Sequence, residues 1–342
     1  MGITDTMSRL LLRPNALILS VFILGLVLCG NRVLASNESG EEKLNVSEVI
    51  LHHVMDDHQW HFADGLVLPL PIIVYSEANG LDFFMSSNFF DENHQPKDYN
   101  GYKLEHNHIT LNEKSVLDLS ITKNVAMLFI VVALVVYIMM STAAGYKRNK
   151  GKAPSGIQSF IEPIILFVKD EIVKPNIGPR YERYLPYLLT LFFFILFGNI
   201  LGLLPGASNL TGNIAVTLTL ALITFVITNV SGNKNYWSHI FWTPGVPLPL
   251  RFIILPVEII GIFTKPFSLT VRLFVAITAG HIVILALICL AFIFQSYAVG
   301  IGSSLLILFI NLIEILVAGI QAYVFTLFTS LYIGLAVEEH HH

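Results

Sequence analysis

The sequence predicts an all-α integral membrane protein. We expect about five transmembrane helices, of which the last two are long, tilted and paired as a hairpin, and a small extracytoplasmic N-terminal domain. The chain has 342 residues, of which 54% are hydrophobic and only 13% are charged, whereas soluble domains hold nearer a quarter of charged residues. Several apolar segments also reach the roughly 20 residues that a bilayer-spanning helix needs. The small net charge of −4 gives no reason to expect a nucleic-acid partner.

The first 35 residues have the pattern of a secretory signal peptide. A positive flank, "MSRLLLRPN", precedes the apolar run "ALILSVFILGLVLCG", and a Val-x-Ala ending stands at Ala35. The alternative is a retained first transmembrane helix. Cys29 and Cys289 are too few to form a disulfide framework.

Residues 36–121 are polar and mixed, and we interpret them as the extracytoplasmic domain. The stretches "LVLPLPIIVYS" and "YKLEHNHITL" predict short strands among turns. The cluster "HHVMDDHQWHF" contains His52, His53, His58 and His61. It could bind a metal, or the histidines could simply lie on the surface. Because no spacing matches a strong zinc template, we expect no metal and no cofactor.

Residues 122–342 form the predicted membrane domain. Its apolar spans are expected at about 124–143, 185–204, 209–229, 253–294 and 300–337. At about 1.5 Å per residue, the last two exceed the thickness of the hydrocarbon, so they must tilt or extend beyond it. An apolar stripe beside charged residues at about 157–175 predicts a helix lying along the cytoplasmic surface.

Basic residues predict the orientation. The loops after the first and third spans contain Lys or Arg, whereas those after the second and fourth contain neither. The positive-inside rule then places the mature N-terminus outside and the C-terminus in the cytoplasm.

Four polar residues occupy matching depths in the last two spans. If these spans form an antiparallel hairpin that turns near residues 296–299, opposite residues have numbers adding to about 594. Arg272 then lies level with Gln321, and His281 lies level with Glu314. Nine residues, about half a turn beyond two full turns, place Arg272 and His281 on opposite faces of their helix.

A permanent cation at mid-bilayer must face protein, a partner or water. We infer two polar clefts that reach the midplane from opposite sides, the outer one with His281 and Glu314 and the inner one with Glu258 and Ser268. Arg272 between them would repel protons and favour ionisation of a nearby carboxylate, and unlike lysine it stays charged when buried. No acid stands beside Arg272 in this chain, so the carrier carboxylate must belong to another subunit.

At these residues the sequence resembles subunit a of the F-type ATP synthase membrane sector. "KPFSLTVRLF…AGH" and "LVAGIQAYVFTLFTSLY" are similar to that family's two signature segments, in the same order. "GNILGLLPG" and "NIAVTLTLAL" resemble its second and third spans. The resemblance covers about residues 157–339.

The resemblance implies roles for particular residues. Arg272 would be the catalytic, essential arginine facing the rotating ring of c subunits, with Gln321 beside it. The half-channel residues would be His281 and Glu314 on the outer side and Glu258 and Ser268 on the inner side. One position departs from the pattern, because Ala276 stands where the family usually has Asn.

The resemblance also implies a function. The chain would be the stator subunit of a rotary F-type ATP synthase, giving protons two half-channels to the c-ring, with no catalytic site of its own. Its partners would be the c-ring, the peripheral-stalk b subunits, other synthase subunits and membrane lipid, in a bacterial inner (plasma) membrane. The alternative is a proton- or sodium-coupled secondary transporter.

The residues themselves leave simpler readings open. Arg272 could form a structural ion pair, and the outer pair could only hold the hairpin together. Ser268 could bond its own helix backbone, Glu258 could be an interfacial acid, and Gln321 could bridge helices.

Overall fold

A computed structural model describes most of the chain from residue 56 onward. The described residues are 56–63, 66–76, 80–89, 97–105, 108–111, 114–149, 152–204, 206–241 and 247–338. All described residues belong to one compact unit, Val46–His342. The predicted signal peptide and the histidines His52 and His53 lie outside the described residues.

Eight short strands form the described part of the region before the first span. They are β1 (Gln59–Ala63), β2 (Leu66–Pro69), β3 (Pro71–Ser76), β4 (Gly80–Met85), β5 (Tyr102–Glu105), β6 (His108–Leu111), β7 (Lys114–Ser115) and β8 (Leu117–Asp118). They pair as a β1–β2 hairpin and as two antiparallel sheets of order β4-β3-β8 and β5-β6-β7. Alternate residues of β3, Ile72 and Val74, are fully buried, as the period-two pattern of a half-buried strand requires.

The membrane region is helical. Its helices are α1 (Lys123–Arg148), α2 (Ile157–Phe167), α3 (Lys174–Ile177), α4 (Tyr181–Gly202), α5 (Ile214–Ser231), α6 (Lys234–Phe241), α7 (Leu248–Phe294) and α8 (Tyr297–Val337). Within the described ranges, five helical segments are long and apolar enough to span a membrane, because α2–α4 form one nearly continuous segment. This confirms the predicted fold class, including the two long C-terminal helices.

The segment predicted to lie along the membrane surface packs more closely against the other helices than expected. A π-helical stretch, Val168–Val173, joins α2 to α3, and its apolar residues Val168, Ile172 and Val173 are fully buried. Asn176 then donates from Nδ2 to the Oγ of Ser330 in α8, at 3.2 Å. One face of this segment therefore packs against the helical bundle, and its placement along the cytoplasmic surface stays a prediction.

The start of the third span differs from the sequence expectation. The third span was predicted to begin near residue 209, but α5 begins at Ile214. Asn209 accepts from the backbone N of Gly212 and Asn213 accepts from that of Ala215. These asparagines therefore form a turn and an N-cap, since their side chains compete with helical hydrogen bonding.

The hairpin turn, in contrast, was predicted slightly too late in the sequence. α7 ends at Phe294, Gln295 adopts a left-handed conformation with φ 45°, and α8 begins at Tyr297. Residues 297–299 are therefore helical, and the reversal needs only Gln295 and Ser296.

Polar contacts fix α8 against its neighbours. Asn199 of α4 donates from Nδ2 to the carbonyl O of Ala318 at 3.3 Å. At the C-terminal end of α8, Asn233 donates from Nδ2 to the carbonyl O of Val337 at 2.7 Å, which satisfies one of the last carbonyl groups of the helix. These contacts fix the axial position of α8 relative to α4 and to the segment between α5 and α6.

Candidate functional site

Glu314 is a buried carboxyl group in the middle of α8. Its side chain is 7% exposed, and its Oε1 has no hydrogen-bond partner among the described residues. It lies against Gly280 of α7, where an added Cβ would stand 2.9 Å from Cδ of Glu314 and closer still to Oε1. Only a glycine therefore leaves room for the carboxyl group in this position.

His281 directly follows Gly280 and is partly buried. Because Gly280 is in contact with Glu314, His281 lies at the depth of that carboxyl group. The structure thus brings the two predicted outer residues to one level, as the numbering of the hairpin indicates.

A cleft of about 270 Å³ opens beside Glu314. Its lining residues come from two helices and the residue after a third: Ala276, Ile277, Ala279, Gly280 and Val283 of α7, Ile310, Ile313, Glu314 and Val317 of α8, and Leu203 just after α4. Ala276, at the position where an asparagine was expected, is one of its lining residues, so its wall there is apolar. Glu314 is the only ionisable residue among those that line this cleft in the described part of the chain.

Arg272 has no carboxylate of the described residues within ion-pair distance. It is partly buried, and its Cζ is 4.3 Å from the ring centroid of Phe328 in α8. That distance is within the range of a cation–π contact. The described residues therefore do not supply a structural ion pair for Arg272.

Gln321 was predicted to stand beside Arg272. It is partly buried on α8, but the structure shows no hydrogen bond between the two side chains. The guanidinium instead lies over Phe328, seven residues further along α8 than Gln321, because the long arginine side chain extends toward the start of its own helix.

A second cleft, of about 470 Å³, opens on the opposite side of Arg272 along α7. We call it the inner vestibule; α6, α7 and the end of α8 enclose it. Its ionisable groups are Tyr236, His239, Glu258, Lys265 and Glu338. Burial raises the pKa of Tyr236, and the nearby charge of Glu258 raises it further. Glu258 lines this cleft, and its role in an inner route stays a prediction.

Ser268 does not share this position. Its side chain is exposed on α7, and it is absent from the lining of the inner vestibule. The structure also gives it no hydrogen bond to its own helix backbone, unlike Thr270, whose Oγ1 donates to the carbonyl O of Pro266 at 2.9 Å.

Aromatic residues connect the vestibule to Arg272. The Nζ of Lys265 is 5.3 Å from the ring centroid of Tyr332 and 6.0 Å from that of Tyr236. Tyr332 and Phe328 have ring centroids 6.0 Å apart. Lys265 and Arg272, seven residues apart on α7, therefore lie over successive aromatic rings of α8. Sequence reasoning did not identify Phe328 and Tyr332, although their spacing of four within "TLFTSLY" was a signal.

Taken together, the geometry places one cation between two separate clefts. Along α7, the inner vestibule reaches from Glu258 to Lys265 and the outer cleft begins at Ala276. Arg272 stands about 10 Å beyond Lys265 and about 6 Å before Ala276 along the helix axis.

The histidine cluster gives no metal centre in the described part of the chain. No group of three or more His, Cys, Asp or Glu side chains is close enough there to hold a metal ion. His58, 2% exposed, has its Nε2 2.9 Å from Oδ2 of Asp118. Burial opposes ionisation of Asp118, but hydrogen bonds with His58 and Ser120 outweigh it and lower its pKa to about 2.

Comparisons with known proteins agree with this geometry. Residues 125–334 match the family model described as ATP synthase A chain, and residues 49–126 match a domain of unknown function, DUF8433.

Individual relatives agree as well. ATP synthase subunit a 2 of Chlorobium luteolum is 40% identical over 305 residues, which cover 87% of this chain and 78% of the relative. ATP synthase subunit a of Chlorobium phaeobacteroides (strain DSM 266) is 40% identical over 310 residues, which cover 89% of this chain and 78% of the relative. ATP synthase subunit a of an Anaeromyxobacter species is 38% identical over 317 residues, covering 90% and 74%.

Proposed function

This chain belongs to the ATP synthase subunit a family, and from that premise we propose that it is the stator subunit that carries protons to and from a rotating c-ring. Proton flow through its two clefts turns the ring, and rotation drives ATP synthesis in the catalytic part of the complex. No observation on this chain favours the alternative of a secondary transporter.

The observation that carries the proposal is Arg272, a cation with no carboxylate partner among the described residues, which lies between two clefts along α7. A charge at this depth costs several kcal/mol unless it faces water or an opposite charge. A carboxylate on a passing c subunit would supply that charge. Arg272 would hold that carboxylate ionised and prevent protons from crossing directly between the clefts.

We infer the path from the residues that line the two clefts and from His281, which lies at the depth of Glu314. A proton enters from outside past His281 and Glu314 and neutralises a ring carboxylate. After nearly a full rotation, it leaves past Lys265 and Glu258 through the inner vestibule. Each charge that crosses 100 mV releases about 2.3 kcal/mol, so several protons must combine for each ATP. Sodium would be handled by the same route if the ring site selected it.

Orientation and location belong to the same proposal. Lys and Arg in the loops after α1 and α5 favour a cytoplasmic side for those loops. The strand domain within 36–121 then lies outside, residues 1–35 act as a signal peptide, and the C-terminus of the membrane domain (122–342) lies in the cytoplasm. The membrane is the inner membrane of a bacterium, and peripheral-stalk b subunits hold the stator.

The test compares Arg272→Ala with Arg251→Ala, a change at an arginine near the start of the same helix and outside the lining of both clefts. In inverted membrane vesicles with the complete complex, Arg272→Ala should abolish proton-driven ATP synthesis, while Arg251→Ala should retain it. Normal ATP-driven proton pumping by the Arg272→Ala complex would contradict the proposal.

A further inference from the structure

We propose that the N-terminal strand domain holds the wall of the outer cleft in place, with Trp60 as the positioning residue. The inference rests on the proposed function, since it takes this cleft as the proton route to Glu314. It gives a role to a region that matches the model of a domain of unknown function.

Trp60 lies in β1 but belongs to the packing of the membrane helices. Its side chain is 6% exposed and joins the core cluster of α1, α4 and α8, whereas the sheets of the strand domain have a core of their own. Its Nε1 donates to the carbonyl O of Gly206 at 2.7 Å, across 146 residues of sequence. Leu70, between β2 and β3, joins the same membrane core. The strand domain is therefore anchored on the loop that connects α4 to α5.

The conformation of this loop is held by Trp60 and by a second hydrogen bond. Gly206 has φ +78°, a left-handed conformation that glycine adopts without strain, and its carbonyl accepts the indole N–H. Two residues later, Ser208 is 5% exposed and donates from Oγ to Oδ1 of Asn124, at the start of α1. The backbone N of Asn124 in turn donates to Oδ1 of Asp56, at 3.2 Å. The loop is thus held at two points: directly by Trp60 of β1, and at Ser208 by Asn124 of α1, whose backbone N–H in turn donates to Asp56.

The same loop forms part of the cleft that contains Glu314. Leu203, where the loop begins, lines that cleft. Further on, Thr211 is fully buried and donates from Oγ1 to Oδ1 of Asn199 at 2.7 Å. Asn199 donates to the carbonyl O of Ala318, one turn beyond Glu314 on α8. Hydrogen bonds at both ends of the loop, joined by the backbone of the loop, therefore link the strand domain to the helix that carries the carboxyl group.

The physical consequence is control of local opening. A loop held by few hydrogen bonds opens more often than the core it lies on. Removing the indole N–H takes away one buried hydrogen bond, so the wall at Leu203 should open about fivefold more often, which corresponds to about 1 kcal/mol. Water and protons would then reach Glu314 by a wider route.

The experiment measures this opening directly. In a chain with Cys29→Ser and Cys289→Ser, Leu203→Cys is labelled from the outer side with a membrane-impermeant maleimide, in cells that assemble the complete complex. Trp60→Phe keeps an aromatic ring but removes the donor. The matched control is Tyr102→Phe, which removes a hydrogen bond to Asp82 inside the strand domain and leaves the loop untouched.

We expect labelling to be about fivefold faster with Trp60→Phe and unchanged with Tyr102→Phe. Ser208→Ala, which removes the second attachment of the loop, should change labelling in the same direction and serves if Trp60→Phe does not assemble. As a functional readout, the dependence of ATP synthesis on outer pH should shift with Trp60→Phe but not with Tyr102→Phe.

Equal labelling rates in all assembled variants, slower labelling with Trp60→Phe, or no labelling of Leu203→Cys at all would overturn the proposal. Labelling does not require proton transport. Failure of the Arg272→Ala test would therefore refute the proposed function without changing the meaning of this result.

Discussion

Gly280→Ala should displace the buried carboxyl group of Glu314 while leaving the complex assembled. The new methyl group would lie 2.9 Å from Cδ of Glu314, well inside the sum of van der Waals radii. The end of a glutamate side chain can rotate away, but in a packed interior such crowding costs about 1–3 kcal/mol. If the carboxyl group must return to its original position each time a proton passes, this cost slows transport by about 5- to 160-fold.

The assay is ATP-driven acidification of inverted vesicles that contain equal amounts of the complex. Gly300→Ala is the matched control: it lies in the same hairpin, at the start of α8, with nothing within 4 Å of the added Cβ. We expect that control to pump normally. A Gly280→Ala complex that pumps at the rate of the control would refute the reasoning, because Glu314 would then have no need of its place against Gly280.

Three further outcomes are expected. Glu314→Gln keeps the shape of the side chain but removes its titration, so it should slow proton uptake from the outside at least about tenfold, measured as ATP synthesis driven by an imposed pH gradient; an unchanged rate would assign Glu314 a structural role. Phe328→Leu removes the ring under Arg272, worth about 0.5–2 kcal/mol, and should lower coupling, measured as protons pumped per ATP hydrolysed; Phe328→Tyr should restore it, and equal coupling in both would count against the contact. Because the pKa of Asp118 is lowered to about 2, its pairing with His58 contributes stability that is present above the unfolded pKa near 4 and is lost as pH falls toward 2. Asp118→Asn should therefore increase amide hydrogen exchange in the strand domain at pH 6, with the difference from the parent vanishing near pH 2; a constant difference over this range would contradict the assignment.

The hairpin was the part of the site that sequence could predict best. Helical rise is uniform, so residue numbers alone place His281 and Glu314 at one depth. The two-residue error in the turn at Gln295 did little harm, because a small shift still leaves the two side chains within one turn of each other. The contact with Gly280 could have been suspected from its position next to His281, but the burial of the carboxyl group required coordinates.

Other features of the site could not be predicted from the periodicity of the sequence. The direction of the Arg272 side chain is a rotamer choice among several long conformations, so its contact with Phe328 rather than Gln321 could not be predicted. The inner vestibule is formed in part by Tyr236 and His239 of α6. Hydropathy alone predicts a loop there and not a helix. The contact of Trp60 with Gly206 joins residues 146 positions apart, and no local pattern indicates such a pairing.

The central claim is that Arg272 faces an acidic group of a rotating partner between two water-filled routes. A structure of the assembled membrane complex, with density for the α7 side chains, measures this directly. We expect the guanidinium to lie about 3–6 Å from a carboxylate of a neighbouring c subunit, the range in which a direct or water-bridged ion pair acts. An Arg272 side chain turned toward lipid, or paired with a carboxylate of its own chain and with no ring beside α7, would contradict the account.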